Sequence, residues 1–134
     1  MMTGLTTELE MLVWTTGAAL LMWIPYILAH ILKVGMMEAL TYRGDATPLP
    51  DWASRAKKAH SNTIENLVPF AVLVIVASLM KISNDATVAA AVTFFWARMA
   101  HYVVYIAGIP FGRTLAFAVS WLAMLCLAGQ ILTA

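Results

Sequence analysis

The apolar positions of the chain fall into four runs of two kinds. Met11 to Leu32 gives 22 residues free of Asp, Glu, Lys and Arg, bounded by Glu10 and Lys33, and Thr114 to Leu132 gives 19 more. A helix of about 20 apolar residues crosses a hydrocarbon core, so each of these runs predicts a span by itself. Between them, Leu67 to Met80 offers only 14 residues and becomes a full span when extended back through Glu65, Asn62 and His60. Ala86 to Ala107 spans only with Arg98 and His101 admitted. The pattern therefore predicts two plain outer helices and two inner ones that carry ionisable groups.

Gly, Pro and short polar stretches mark the connections: a long one over Val34 to Trp52, a tight KISND at Lys81 to Asp85, and GIPFG at Gly108 to Gly112. The expected architecture is all-α, an integral membrane up-down four-helix bundle forming a single domain over residues 1–134, with helices near 8–34, 52–81, 85–107 and 113–133. Asp51 is placed to cap the second of these, and Pro25 to bend the first. The stretch before the first run is acidic, unlike the positive front of a cleavable signal peptide. Basic residues fix the expected orientation. Lys33, Arg43, Arg55, Lys57, Lys58 and Arg113 stand at one side against Lys81 at the other, which puts that basic side in the cytoplasm and both termini outside.

Composition agrees with a bilayer, at 62% hydrophobic and 11% charged residues. A net charge of +1 leaves no basic field of the kind that gathers nucleic acid. The single cysteine, Cys126, excludes an intramolecular disulfide and reads as a buried thiol, and the Trp and Met residues read as lipid-facing and interfacial bulk.

Up-down topology brings the polar residues of the inner helices into one leaflet. Lys58, Asn62, Glu65 and Pro69 are spaced 4, 3 and 4 apart, one stripe of a helix, and Arg98, His101 and Tyr105 are spaced 3 and 4 apart. At roughly 1.5 Å of rise per residue, Glu65 and Arg98 both lie about 10 Å inside the boundary, which makes them expected ion-pair partners. A charge in hydrocarbon costs about 3 kcal/mol, so it persists when paired or useful. A pair that merely fixes helix register would account for Glu65 and Arg98. It does not account for Lys58, Asn62, His101, Tyr105 and Arg113, an excess of donors that suits a small anionic ligand. His30 reads as a helix-contact residue and His60 as a headgroup-level one. Three histidines on three helices, without a paired spacing, make a metal site a poor expectation, and there is no Ser-His-Asp set, phosphate loop or dinucleotide fingerprint.

Three segments, RAKKAHSNTIENLVPF at Arg55 to Phe70, FWARMAHYVVY at Phe95 to Tyr105 and GIPFGRT at Gly108 to Thr114, resemble the membrane-associated proteins in eicosanoid and glutathione metabolism, the MAPEG family. The resemblance covers about Asp51 to the C-terminus by motif and the first helix by hydropathy alone. It implies a homotrimer with glutathione as co-substrate, bound between neighbouring subunits near the cytoplasmic face. By position, Asn62 and Glu65 would hold the glutathione backbone, Glu65 also bracing Arg98. Lys58 would meet a carboxylate, His101 and Tyr105 would line the pocket, and Arg113 would stabilise the thiolate. Lys33 matches basic residues at the inner end of the first helix. The implied activity is that of a glutathione transferase or peroxidase acting on a lipophilic electrophile or hydroperoxide. The alternatives are a non-catalytic lipid-binding protein similar to the lipoxygenase-activating member, and a site for another anionic thiol. Ser61 and Phe117 depart from the Arg and Tyr of eicosanoid-forming members, which makes the chain similar to an unspecialised bacterial type, expected in the inner membrane.

Overall fold

The structure is a computed structural model that describes residues 4–134. Its first span, Thr7–Val34, is broken into α1 (Thr7–Leu21) and α2 (Trp23–Val34). The cause is Pro25, which has no amide to reach the Leu21 carbonyl and whose ring crowds it, so the ladder fails just before the proline. The Met22 amide turns back to Ala19 O at 3.3 Å, and the Met22 carbonyl accepts from the Tyr102 hydroxyl at 2.9 Å.

The long first connection contains a short helix, α3 (Met36–Ala39), and a 3-10 turn at Tyr42–Ala46, neither of which the apolar pattern foretold. Gly44 makes this tight fold possible, because a Cβ there would fall 2.2 Å from the Glu38 carbonyl oxygen. The next helix, α4 (Asp51–Leu79), begins on Asp51 itself, after Pro50 and without a side-chain cap. Asp51 is thus a first-turn residue facing the positive end of the helix dipole rather than the cap expected from the sequence. A turn with Lys81 at φ 56° leads to α5 (Asp85–Ala107), opened by a capping box between Asn84 and Thr87. Gly108 in the left-handed region ends α5, and α6 (Gly112–Leu132) follows. Among the described residues there is no strand. Four helices are long and apolar enough to cross a membrane, as expected of a multi-pass integral membrane protein.

The most extensive pairing joins α5 to α6, with α1 and α4 packed on α5. Phe70 stacks on Phe94 at 3.8 Å between ring centroids, and Val74, Met124 and Leu127 close the core around them. Alanines at 53, 56, 59, 90, 91 and 97 let the helices approach closely where lipid-like cohesion alone would not hold them. All five tryptophans are exposed, as lipid-facing and interfacial residues should be. On α4, Ser61, Glu65, Val68, Val72, Ile75 and Leu79 are exposed in a seam spaced 4, 3, 4, 3 and 4 apart.

The far end of the bundle holds a feature the sequence reading passed over. Glu8 is buried, and its carboxylate accepts from the Ser83 hydroxyl at 3.0 Å and from the Thr87 hydroxyl. It ties the start of α1 to the start of α5, where the dipole of α5 favours a negative charge. Glu10 is buried as well.

Candidate functional site

Arg98 is fully buried in the middle of α5 and decides how the neighbouring polar groups face. Its Nη2 donates to Asn62 Oδ1 at 2.6 Å and to Thr63 Oγ1 at 3.1 Å, and its Nη1 donates to Ser120 Oγ at 3.1 Å. No ion pair joins it to Glu65, which is exposed on the flank of α4 that lines the cleft, so the expected Glu65 to Arg98 pair is not formed. The correction follows from helix geometry. Asn62 and Glu65 are three residues apart, about 60° around the axis, but in α4 the inward position falls between Asn62 and Thr63, which leaves Glu65 about 110° away from it. The guanidinium is instead solvated by neutral oxygens on three sides, while its Nε has no partner.

This arrangement dictates the chemistry of the groups around it. Arginine only donates, so the Asn62 oxygen, which also accepts from Asn66 Nδ2 at 3.3 Å, is committed to the interior. The Asn62 amide nitrogen is left for the cleft. Arg98 Nη2 also meets His101 Nδ1 at 3.3 Å. That nitrogen must be the unprotonated one, which leaves Nε2–H as the second donor. One buried cation therefore turns two amphoteric side chains into donors.

The cleft they face is built around Tyr105. One part, about 460 Å³, lies along α4 between Lys58, Ser61, Asn62, Glu65 and Tyr105. A second, about 250 Å³, lies between Asn62, His101, Tyr105, Arg113 and Phe117. The His101 ring meets the Tyr105 ring edge-on at 5.4 Å, and Arg113 lies over the Tyr105 face at 4.6 Å, a cation–π contact that steadies a residue at the start of α6. Lys58 and Arg113 supply positive charge, Glu65 one negative charge, and Asn62, His101 and Tyr105 neutral hydrogen bonds. A small ligand with carboxylates, an ammonium group and a further anionic atom suits that set.

Of the residues singled out from sequence, Lys58, Asn62, Glu65, His101, Tyr105 and Arg113 come together here, and Arg98 stands behind them. Lys33 does not. Its ammonium donates to the Pro48 carbonyl at 2.7 Å and fastens the first connection to the end of α2. His60 hydrogen-bonds through Nδ1 with the Tyr26 hydroxyl at 2.9 Å, and His30 borders a separate cleft of about 670 Å³ under the first connection, with a buried Nδ1 that has no partner. Cys126 is half-buried, its thiol directed at the Ala86 carbonyl at 3.8 Å. No group of three or more His, Cys, Asp or Glu residues among the described residues is arranged to hold a metal ion. Sequence reasoning missed Thr63 and Ser120, which hold Arg98. A hydroxyl one position from an intramembrane Asn was the available signal for the first, and the second has none beyond a lone serine in an apolar run.

No curated protein and no solved structure matches the chain. A family model does, over residues 11–133, nearly the whole length and all four spans. With that match, the chain belongs to the MAPEG family.

Proposed function

We propose that this chain is a membrane-embedded glutathione transferase or peroxidase. The family includes glutathione transferases and related proteins, and the observation that carries the reading is the convergence of Lys58, Asn62, Glu65, His101, Tyr105 and Arg113 on one cleft. Glutathione has two carboxylates, one ammonium group and one thiol. Lys58 meets a carboxylate, Glu65 the ammonium, and the Asn62 and His101 donors the carbonyl oxygens, with Tyr105 as the floor. Bound there, glutathione supplies a sulfur nucleophile for a lipophilic electrophile or hydroperoxide.

The chain's contribution is to hold that sulfur deprotonated. A free thiol titrates near about 8.5, and a guanidinium beside it favours the thiolate. Arg113 is that group, aided by the positive end of α6. Positioning and anion stabilisation then supply the catalysis, since no side chain in the cleft needs to act as a nucleophile. The seam on α4, with its alternating 4 and 3 spacing, supports a homotrimer packed through this helix, and the basic residues at the cleft end support a cytoplasmic site. Phe117 favours a second reading. It puts a phenyl ring beside Arg113 where a phenol would assist the thiol, which suits a non-catalytic lipid-binding protein.

The test is titration of glutathione into detergent-solubilised protein, read by thiolate absorbance. A saturable signal that Arg113→Ala abolishes is expected, and absence of any signal at millimolar glutathione overturns the proposal. Conjugation of a generic electrophile separates the first reading from the second.

A further inference from the structure

The turn between α5 and α6 lines a further cleft of about 450 Å³, which shares Tyr105 and Arg113 with the first but not Lys58, Asn62, Glu65 or His101. Arg55 reaches into it from α4. Its Nε donates to the Ile106 carbonyl at 3.0 Å, one of the last acceptors of α5, and its guanidinium passes under the turn so closely that a Cβ on Gly108 would sit 3.4 Å from Cζ. That bond engages Nε alone, and the two terminal nitrogens have no hydrogen-bond partner among the described residues. Arg113 borders the same cleft from α6, and no acidic residue lines it. Asp51, one turn before Arg55, borders the cleft beneath the first connection instead and forms no ion pair with it.

Two guanidinium groups facing one cavity without a carboxylate create a demand for an anion, and their planar forks suit a phosphate. The rim says what else the anion carries. Ile109 is 50% and Phe111 80% exposed, with Pro110 exposed between them. Phe111 holds its ring outward from a left-handed backbone at φ 68°. The turn lies where two spans end, at the depth of the headgroups, so this apolar rim faces the acyl boundary. An anionic head against arginines and an apolar body against Ile109 and Phe111 describe an amphiphile.

We propose that the Arg55 cleft binds the phosphate of an anionic phospholipid, with its acyl chains lying against Ile109 and Phe111, and disfavours a choline headgroup, whose ammonium would meet two arginines and no carboxylate. This goes beyond diffuse attraction of a basic surface to an anionic leaflet, because it assigns the preference to one residue under one turn. It does not depend on glutathione binding, and its test contains none. Arg113 borders both clefts and is left unaltered.

The test uses the full chain in detergent, with added phosphatidylglycerol, phosphatidylcholine or inorganic phosphate, read by native mass spectrometry and thermal unfolding. Wild type is expected to retain phosphatidylglycerol over phosphatidylcholine by about fivefold, the effect of roughly one basic side chain at a lipid headgroup, and to unfold at a higher temperature in its presence. Arg55→Gln is expected to lose that preference, while Arg43→Gln, which removes an exposed cation from the first connection, keeps it. Because Arg55 also caps α5, Phe111→Ser tests the apolar rim without disturbing the cap, and it is expected to reduce retention. Equal retention of the two lipids by wild type overturns the proposal, as does a preference undiminished in Arg55→Gln or a phosphatidylglycerol retention undiminished in Phe111→Ser. Protection by inorganic phosphate equal to that by phosphatidylglycerol also overturns it, since the cleft would then be a site for free anions.

Discussion

The Arg98 guanidinium donates to the Asn62 carboxamide oxygen at 2.6 Å, so the buried cation of α5 is held by a neutral group that also forms a wall of the cleft. Two substitutions separate these roles. Asn62→Leu removes the acceptor and should cost about 2 kcal/mol of stability, the usual scale for a hydrogen bond to a charged group. Asn62→Asp keeps an acceptor and adds a counter-charge, so stability should hold. It also replaces the cleft-facing donor with an acceptor, so glutathione affinity should fall at least about tenfold, the equivalent of roughly 1.4 kcal/mol. Unfolding in detergent and isothermal titration would check the pair, and equal loss of stability in both would refute the division of roles.

Phe117 borders the cleft beside Arg113. Phe117→Tyr adds a phenol that can donate to the proposed thiolate, and one hydrogen bond to an anion should increase the thiolate-to-thiol ratio by about tenfold. Thiolate absorbance as a function of pH would show the transition moving to lower pH. An unmoved transition would place the thiol away from Phe117.

At the other end of the bundle, Glu8 accepts from the Ser83 and Thr87 hydroxyls while almost wholly buried. Glu8→Ala leaves the Ser83 hydroxyl without its acceptor and the Thr87 hydroxyl with the Asn84 carbonyl alone, and should destabilise the protein by about 2 kcal/mol. Glutathione affinity should not change, because the cleft lies at the opposite ends of α4 and α5. Thermal unfolding alongside a binding titration tests both halves of the statement.

Gly44→Ala should disrupt the first connection, since the new Cβ would meet the Glu38 carbonyl oxygen at 2.2 Å, a backbone atom that cannot swing aside. Faster amide exchange is expected over residues 36–47, with α5 and α6 unaffected. Unaltered exchange in that segment would contradict the close approach.

The four spans were legible because their lengths and charges are properties of the linear pattern, and the cleft residues because three- and four-residue spacings place side chains on a shared face. What the pattern could not supply was the rotation of one helix against another. Asn62 and Glu65 share one stripe and one cleft, yet the rotation of α4 turns the Asn62 oxygen inward to Arg98 and leaves the Glu65 carboxylate out of its reach. A spacing rule carries no such phase. In the sequence Arg55 marks only the cytoplasmic side, because its bond to Ile106 O joins residues 51 positions apart. Glu8 was passed over because its partners, Ser83 and Thr87, lie in and just after a turn with no apolar periodicity of its own.

The neutral solvation of Arg98 has a consequence for how the protein enters the membrane. Of the four spans, α5 is the least apolar, and an arginine at its middle makes its insertion alone unfavourable by about 3 kcal/mol. Asn62 and Thr63 are synthesised before Arg98 and Ser120 after it. A nascent α5 can therefore shelter its charge against α4 while both are still leaving the translocon, but the last oxygen arrives only with α6. Biogenesis of this bundle should proceed through a helical hairpin of α4 and α5 that is competent to insert yet incomplete, and a chain truncated before Ser120 should be the form that quality-control proteases remove.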